Sequence, residues 1–151
     1  MILPYYLWSQ VGTASYNAND AASKWYSYGN YYNWYAATAG TGTCAMESGD
    51  ATSSICPRGW RLPTSGSSGE FQTLYNNYNS FSAMTSSPVN FVLSGYRYSS
   101  TTRSQKSAGY YWSSTAGDSD DAYRLSINSS SINPASNYHK YRGFSVRCVA
   151  R

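Results

Sequence analysis

Pro88 divides the chain by hydrophobic period. Ahead of it the apolar residues can be laid on helices. Beyond it they come in short runs, residues 91–98, 110–114, 122–128 and 143–149, each bounded by Gly, Ser, Asn, Asp or Pro. Runs of that length between turn formers predict strands, and helices followed by strands predict an α+β fold. At 151 residues the chain reads as one domain, 1–151, long enough to bury roughly two thirds of its unfolded surface.

Two helices are predicted before the switch. Asn19 and Asp20 cap a short pattern through Ala21, Ala22, Lys24 and Trp25 that stops at Gly29. Ser67 and Glu70 form a capping box for a helix over 68–78, in which Phe71, Leu74, Tyr75 and Tyr78 share one face. Between them, 31–38 suits strand and helix equally, and 39–54, rich in Gly, Thr and Ser, reads as an exposed loop. Near the C-terminus, Tyr123, Leu125 and Ile127 alternate with Arg124, Ser126 and Asn128, and Phe144, Val146 and Cys148 alternate with Ser145 and Arg147. The apolar set points inward in both strands. The polar connection 129–142 between them reads as a long loop, the kind of segment that carries binding residues on a rigid scaffold.

Composition narrows the function. The chain holds seventeen Tyr and five Trp, is 12% charged, and has a net charge of +4 from eleven Lys and Arg against seven Asp and Glu. Few charges with many aromatics exclude a disordered tail. No basic residue precedes Lys24 and the tightest basic pair is Lys140 with Arg142, so the stripe that nucleic acid requires is missing. No apolar run approaches the ~18 residues of a membrane-spanning helix. A surface of Tyr, Ser and Asn is that of antibody paratopes, where Tyr gives rigid contact area and Ser and Asn adaptable hydrogen bonds. The start, residues 1–8, is apolar but lacks the features of a secretory signal. The expectation is a domain of a longer secreted chain, extracellular or at a cell surface, with a cytoplasmic start as the alternative.

Little in the sequence points to chemistry. His139 is the sole histidine, and no G-x-S-x-G turn is present to mark a nucleophile. Asp118, Asp120 and Asp121 offer oxygens to calcium, but their spacing is not that of an EF-hand, and a solvated turn is the favoured reading. The expectation is no enzyme activity, no metal and no cofactor. Cysteines stand at 44, 56 and 148, at no zinc spacing. A Cys56–Cys148 bridge is favoured, because Cys148 lies on the inward side of the last strand and Cys56 precedes a turn leading into the core. A Cys44–Cys56 bridge and three free thiols are the alternatives. The favoured bridge would contribute roughly 4 kcal/mol by closing so long a loop.

The chain reads CPRGWRLPT at 56–64, followed by Glu70 and Phe71, then YYWSST at 110–115 and GFSVRCV at 143–149, with YYNWYAAT at 31–38. This ordered series resembles the Fibrobacter major paralogous domain, FISUMP, and more distantly the formylglycine-generating enzymes. The resemblance covers most of 28–150 and implies a C-type lectin fold: two helices, small antiparallel sheets and a loop-rich ligand face. Cys148 matches the structural cysteine of the enzyme family. Its active-site cysteine pair has no counterpart in 129–142, and the Glu-Pro-Asn, Gln-Pro-Asp and Trp-Asn-Asp signatures of calcium-dependent lectins are missing.

The variable proteins of diversity-generating retroelements are a third similar group. Their diversified positions lie late in the chain and take Asn, Tyr, Ser, Asp, His, Thr, Ile, Arg or Gly. The exposed positions here are Asp118, Asp120, Asp121, Tyr123, Arg124, Ser126, Asn128, Ser130, Ser131, Asn133, Ser136, Asn137, Tyr138, His139, Tyr141 and Arg142, interrupted by Lys140, a type such mutagenesis does not produce. The resemblance implies a variable binding surface made of these residues, with a protein or glycan on another surface as partner. A fixed-sequence surface adhesin or carbohydrate-binding module is the alternative.

Overall fold

The structure, a computed structural model, describes residues 28–151 and the backbone of the strand Ser15–Asn17. The helix predicted from Asn19 lies outside the described residues. Strand β1 (Ser15–Asn17) pairs antiparallel with β2 (Asn30–Tyr32). Helix α1 (Trp34–Ala37) follows at once, because Asn33 accepts the Ala36 N–H at 2.8 Å as its N-cap. The ambiguous stretch 31–38 is therefore strand and then helix.

The capping box at Ser67 does not form. Helix α2 (Glu70–Asn77) starts later, with Gly69 at the cap position and no side-chain bond from it. Thr64 takes the role instead: its Oγ1 accepts the Glu70 N–H at 3.1 Å, and Glu70 Oε2 accepts the Thr64 N–H at 2.9 Å. Arg61, on β3 (Trp60–Arg61), reaches both oxygens of the same carboxylate, with Nη1 2.7 Å from Oε2. A third short helix, α3 (Phe81–Thr85), is capped by Ser80. The class is α+β, mostly strand and loop, with three short helices among the described residues where two were predicted.

Two hairpin-like units complete it. Strand β4 (Tyr96–Tyr98) pairs with β5 (Thr101–Arg103). The run predicted from Phe91 becomes strand only at Tyr96, after Gly95, whose φ is +69° and where an added Cβ would stand 2.1 Å from the Arg103 carbonyl oxygen, leaving no room for a side chain. The main sheet is antiparallel, in the order β6 (Ala108–Ala116), β7 (Asp121–Asn128), β8 (Ser131–His139).

Here the largest correction falls. Segment 129–142 is not a loop: it supplies β8, which hydrogen-bonds to β7 from Asp121↔His139 to Asn128↔Ser131. The sheet is also covered on both faces. Phe71, Met84, Val89, Phe91, Tyr111, Leu125 and Ile127 pack on one, where α2 and α3 supply Phe71 and Met84. Tyr32, Trp34, Leu62, Trp112, Ala122 and Phe144 pack on the other. Alternation along β7 therefore separates two cores rather than core from solvent. Arg124, predicted to project outward, is buried at 7% exposure beneath the second layer.

The final segment does not pair along β7. Instead Gly143 bridges Arg97, Phe144 bridges Tyr32 and Ser145 bridges Tyr111. Ser145, predicted outward, is buried with its Oγ 2.6 Å from Ser94 Oγ. The chain then ends in β9 (Val149–Ala150), antiparallel to β3, beside the predicted Cys56–Cys148 disulfide. Cys44 is free and exposed.

Candidate functional site

Because 129–142 folds back as a strand, the sixteen predicted positions do not make one surface. The β7–β8 hairpin puts Asn128, Ser130 and Ser131 at one end and Asp121 and His139 at the other. Seven residue steps separate those ends, about 23 Å at a strand's rise.

Several of these residues shape backbone. Asn128 Oδ1 accepts the N–H of Ser130 and of Ser131, both at 2.9 Å, and so forms the hairpin turn. Asn133 Oδ1 accepts the Ala135 N–H at 2.9 Å, at a bulge where Pro134 and Ala135 of β8 stand opposite the single residue Leu125 of β7. Asp118 Oδ1 accepts the N–H of Asp120 and Asp121 at 2.8 and 2.7 Å. Those donors, Asp121 first, hold the Asp118 carboxyl below the usual carboxylate range. The acid cluster is thus a turn. Among the described residues no three metal-ligating side chains gather. Tyr123 and its neighbour Asn137 sit on the α2 side of the sheet, opposite to Arg124, since adjacent strand residues face opposite ways.

What does converge is a group around Arg124. Its guanidinium carbon lies 4.4 Å from the Tyr110 ring centre and 4.3 Å from those of Tyr138 and Phe144. Tyr110 comes from β6, Tyr138 from β8 beside Ser136, and the fully buried Phe144 forms the base. Tyr96 of β4 packs edge-on against Tyr110 at 5.4 Å. Cations are attracted to ring faces, and arginine stacks on them best. Burial pushes the Arg124 guanidinium down to about 10, with Tyr110, Tyr138 and Tyr96 acting the other way, so it stays charged at neutral pH. Among the described residues it has no acidic partner and no hydrogen bond, and its Nε is buried unpartnered.

Beside this group stand further rings and arginines, which form its rim. Arg142 stacks on Tyr98 at 3.5 Å, and Arg103 covers the same ring at 4.1 Å. His139 lies parallel to Tyr141 at 5.2 Å, and its Nδ1 is 2.7 Å from Asp121 Oδ1. Tyr141 is 59% exposed. Of the predicted positions, Arg124, Ser136, Tyr138, His139, Tyr141 and Arg142 share this region. Tyr96, Tyr98, Arg103 and Tyr110 were missed; the Tyr-Arg-Tyr alternation at 96–98 was the available signal.

Lys140 has a different role. It is fully buried, and its Nζ donates to the carbonyls of Thr43 (3.2 Å), Met46 (2.7 Å), Asp118 (2.6 Å) and Ser119 (3.0 Å). Desolvation pulls the ammonium below its ordinary value, against the field of Asp118 and its neighbours. One lysine thus joins the 39–54 loop to the turn that precedes β7.

Fold and site together define a disulfide-closed α+β domain whose last hairpin and β4–β5 unit present aromatic rings and arginines side by side. The sequence model described as the Fibrobacter succinogenes major domain matches residues 4–150, and the chain belongs to that family. No curated protein and no solved structure matches the chain. The disulfide fits an oxidising compartment. Among the described residues no helix is long and apolar enough to cross a membrane.

Proposed function

We propose that the domain is a non-catalytic binding module with a C-type lectin-like scaffold, which recognises a protein or glycan on another surface through Arg124 and the rings and arginines beside it. The observation that carries this is the charge of Arg124, nine-tenths buried and, among the described residues, without an acidic partner, set among tyrosines whose hydroxyls form no hydrogen bond to those residues. Tyr and Arg dominate binding hot spots, and here they stand together on converging elements.

Two versions of this reading differ in whether the surface varies. In a retroelement variable protein the exposed positions between Asp118 and Arg142 would be diversified, and Lys140, a type such mutagenesis does not produce, is the residue with a four-carbonyl structural role. In a fixed-sequence surface adhesin or carbohydrate-binding module they would not be. The placements favour the fixed version: Asn128, Asn133 and Asp118 each hold a turn, and Arg124 is interior. A near-identical repeat of the 3′ coding segment, mismatched only at adenines, beside a reverse-transcriptase gene would overturn that preference.

The binding reading is tested with the His139→Ser/Tyr141→Ser double variant, which removes exposed rings and spares Tyr138, a residue packed on the core. Glycan arrays and captured surface proteins should show a partner that the wild type holds and the double variant loses at least tenfold, at an unchanged Tm. Equal binding by both would place the site elsewhere.

A further inference from the structure

We infer that the Arg124 guanidinium, held among these tyrosines, takes the carboxylate of a hexuronic acid in an acidic glycan. This rests on the proposed binding function and gives its ligand a chemical class. A buried cation is expected to have an anion beside it or hydrogen bonds on every donor, because desolvation otherwise goes uncompensated. Arg124 has neither among the described residues, only three ring faces. Rings compensate part of the desolvation but leave the planar N–H fork unused, and that fork matches a carboxylate bidentately. Asp121, the acid on the same strand, has its Oδ1 2.7 Å from His139 Nδ1.

The walls select the rest of the ligand. Tyr96, Tyr110 and Tyr138 surround the charge closely enough to act on it electrostatically, and none of their hydroxyls is bonded among the described residues. Three free phenols beside one guanidinium match a sugar that carries several hydroxyls and a single carboxylate on one ring. Beside them Tyr141, 59% exposed, extends the surface toward neighbouring sugar units. An acidic peptide would use the guanidinium but bring no set of hydroxyls for the phenols.

The test is calorimetric titration of the purified domain with oligosaccharides of galacturonic acid and of glucuronic acid, their methyl esters, a neutral oligogalactan and poly-glutamate. Arg124→Met is the informative variant, because replacing an unpaired buried charge by an apolar chain of similar length should leave Tm equal or raised. Arg124→Lys keeps the charge and loses the fork. At least one of the two uronates should bind, with a loss of tenfold or more on methyl esterification and in both variants. Equal binding of ester and acid, binding of the neutral glycan alone, binding of poly-glutamate without either uronate, or undiminished binding by Arg124→Met would overturn the inference. So would no binding of either uronate; the wider binding reading is judged separately, by the comparison of wild type with the His139→Ser/Tyr141→Ser variant on the arrays.

Discussion

Tyr32 and Phe144 exchange both backbone hydrogen bonds, the Tyr32 N–H to the Phe144 carbonyl at 2.8 Å and the reverse at 2.9 Å. That bridge brings a residue from the start of the described fold against one from its end, and places the Phe144 ring under Arg124 and 4.6 Å from Trp112. The Trp112 indole N–H donates to the Tyr32 carbonyl at 2.7 Å, so the three residues form one closed contact.

Removing either large ring from that contact leaves a cavity that rigid neighbours cannot fill. Phe144→Ala and Trp112→Ala should each cost about 3–5 kcal/mol in urea unfolding. Ser130→Ala, at the exposed hairpin tip, should stay within about 0.5 kcal/mol. A loss under about 1 kcal/mol for Phe144→Ala would show that the second layer is not packed as described.

Stability should depend on pH through Glu70. The Arg61 side chain, then the Thr64 N–H, hold its carboxyl below the usual range. The folded state therefore favours the carboxylate: the contribution is complete above the unfolded value of about 4.3 and is lost as pH falls through the lowered folded value. The pair is over a third exposed, which keeps the expected effect near or below about 1 kcal/mol. Urea midpoints between pH 6 and 2 should fall less steeply for Glu70→Gln than for the wild type; parallel curves would exclude Glu70 as a source.

Mass spectrometry of unreduced peptides should recover Cys56 joined to Cys148, with Cys44 alkylated. Reduction should lower stability by roughly 4 kcal/mol, the entropy of opening so long a loop. A Cys44–Cys56 peptide would contradict the structure.

Lys140→Met should behave as a core defect despite its polar sequence context. Four carbonyls lose their donor at once, and each buried unsatisfied group costs about 1–3 kcal/mol where water cannot replace the partner. Hydrogen exchange should rise in 43–46 and 118–119 together. A rise confined to one of those segments would mean that the ammonium does not couple them.

Much of the fold can be read from the residues. The α+β class followed from the change of period at Pro88, and β7 was legible because Leu125 and Ile127 are apolar at alternate positions. β8 was not, because Ser131, Asn133, Ser136 and Asn137 offer no apolar alternation; it is held by backbone pairing to β7, which leaves no mark on side-chain type. Arg124 was misplaced for a related reason. Polarity at alternate positions normally means solvent on that face, but Phe144 and Tyr32, remote in sequence from β7 and from each other, build a second layer there. The capping partner of Glu70 was misassigned because Ser67 has the standard spacing, whereas Thr64 reaches the helix start only after the chain turns through 65–69. Of the candidate site, Tyr138, His139, Tyr141 and Arg142 were found by residue type. Tyr96, Tyr98, Arg103 and Tyr110 join them only through the contacts of separate strands.

The Cys56–Cys148 bridge also sets the mechanical load path. Tension applied between the two chain ends would enter at Arg151, unzip the two-residue β3–β9 pair, and then cross from Cys148 to Cys56 through the covalent bond. Residues 57–147, which include Arg124, the rings around it and the whole β6–β8 sheet, lie on the shunted side of that bond. Until the disulfide is reduced they could not be drawn out along the chain, and would feel the pull only through contacts such as Tyr32 with Phe144 and Lys140 with the 39–54 loop.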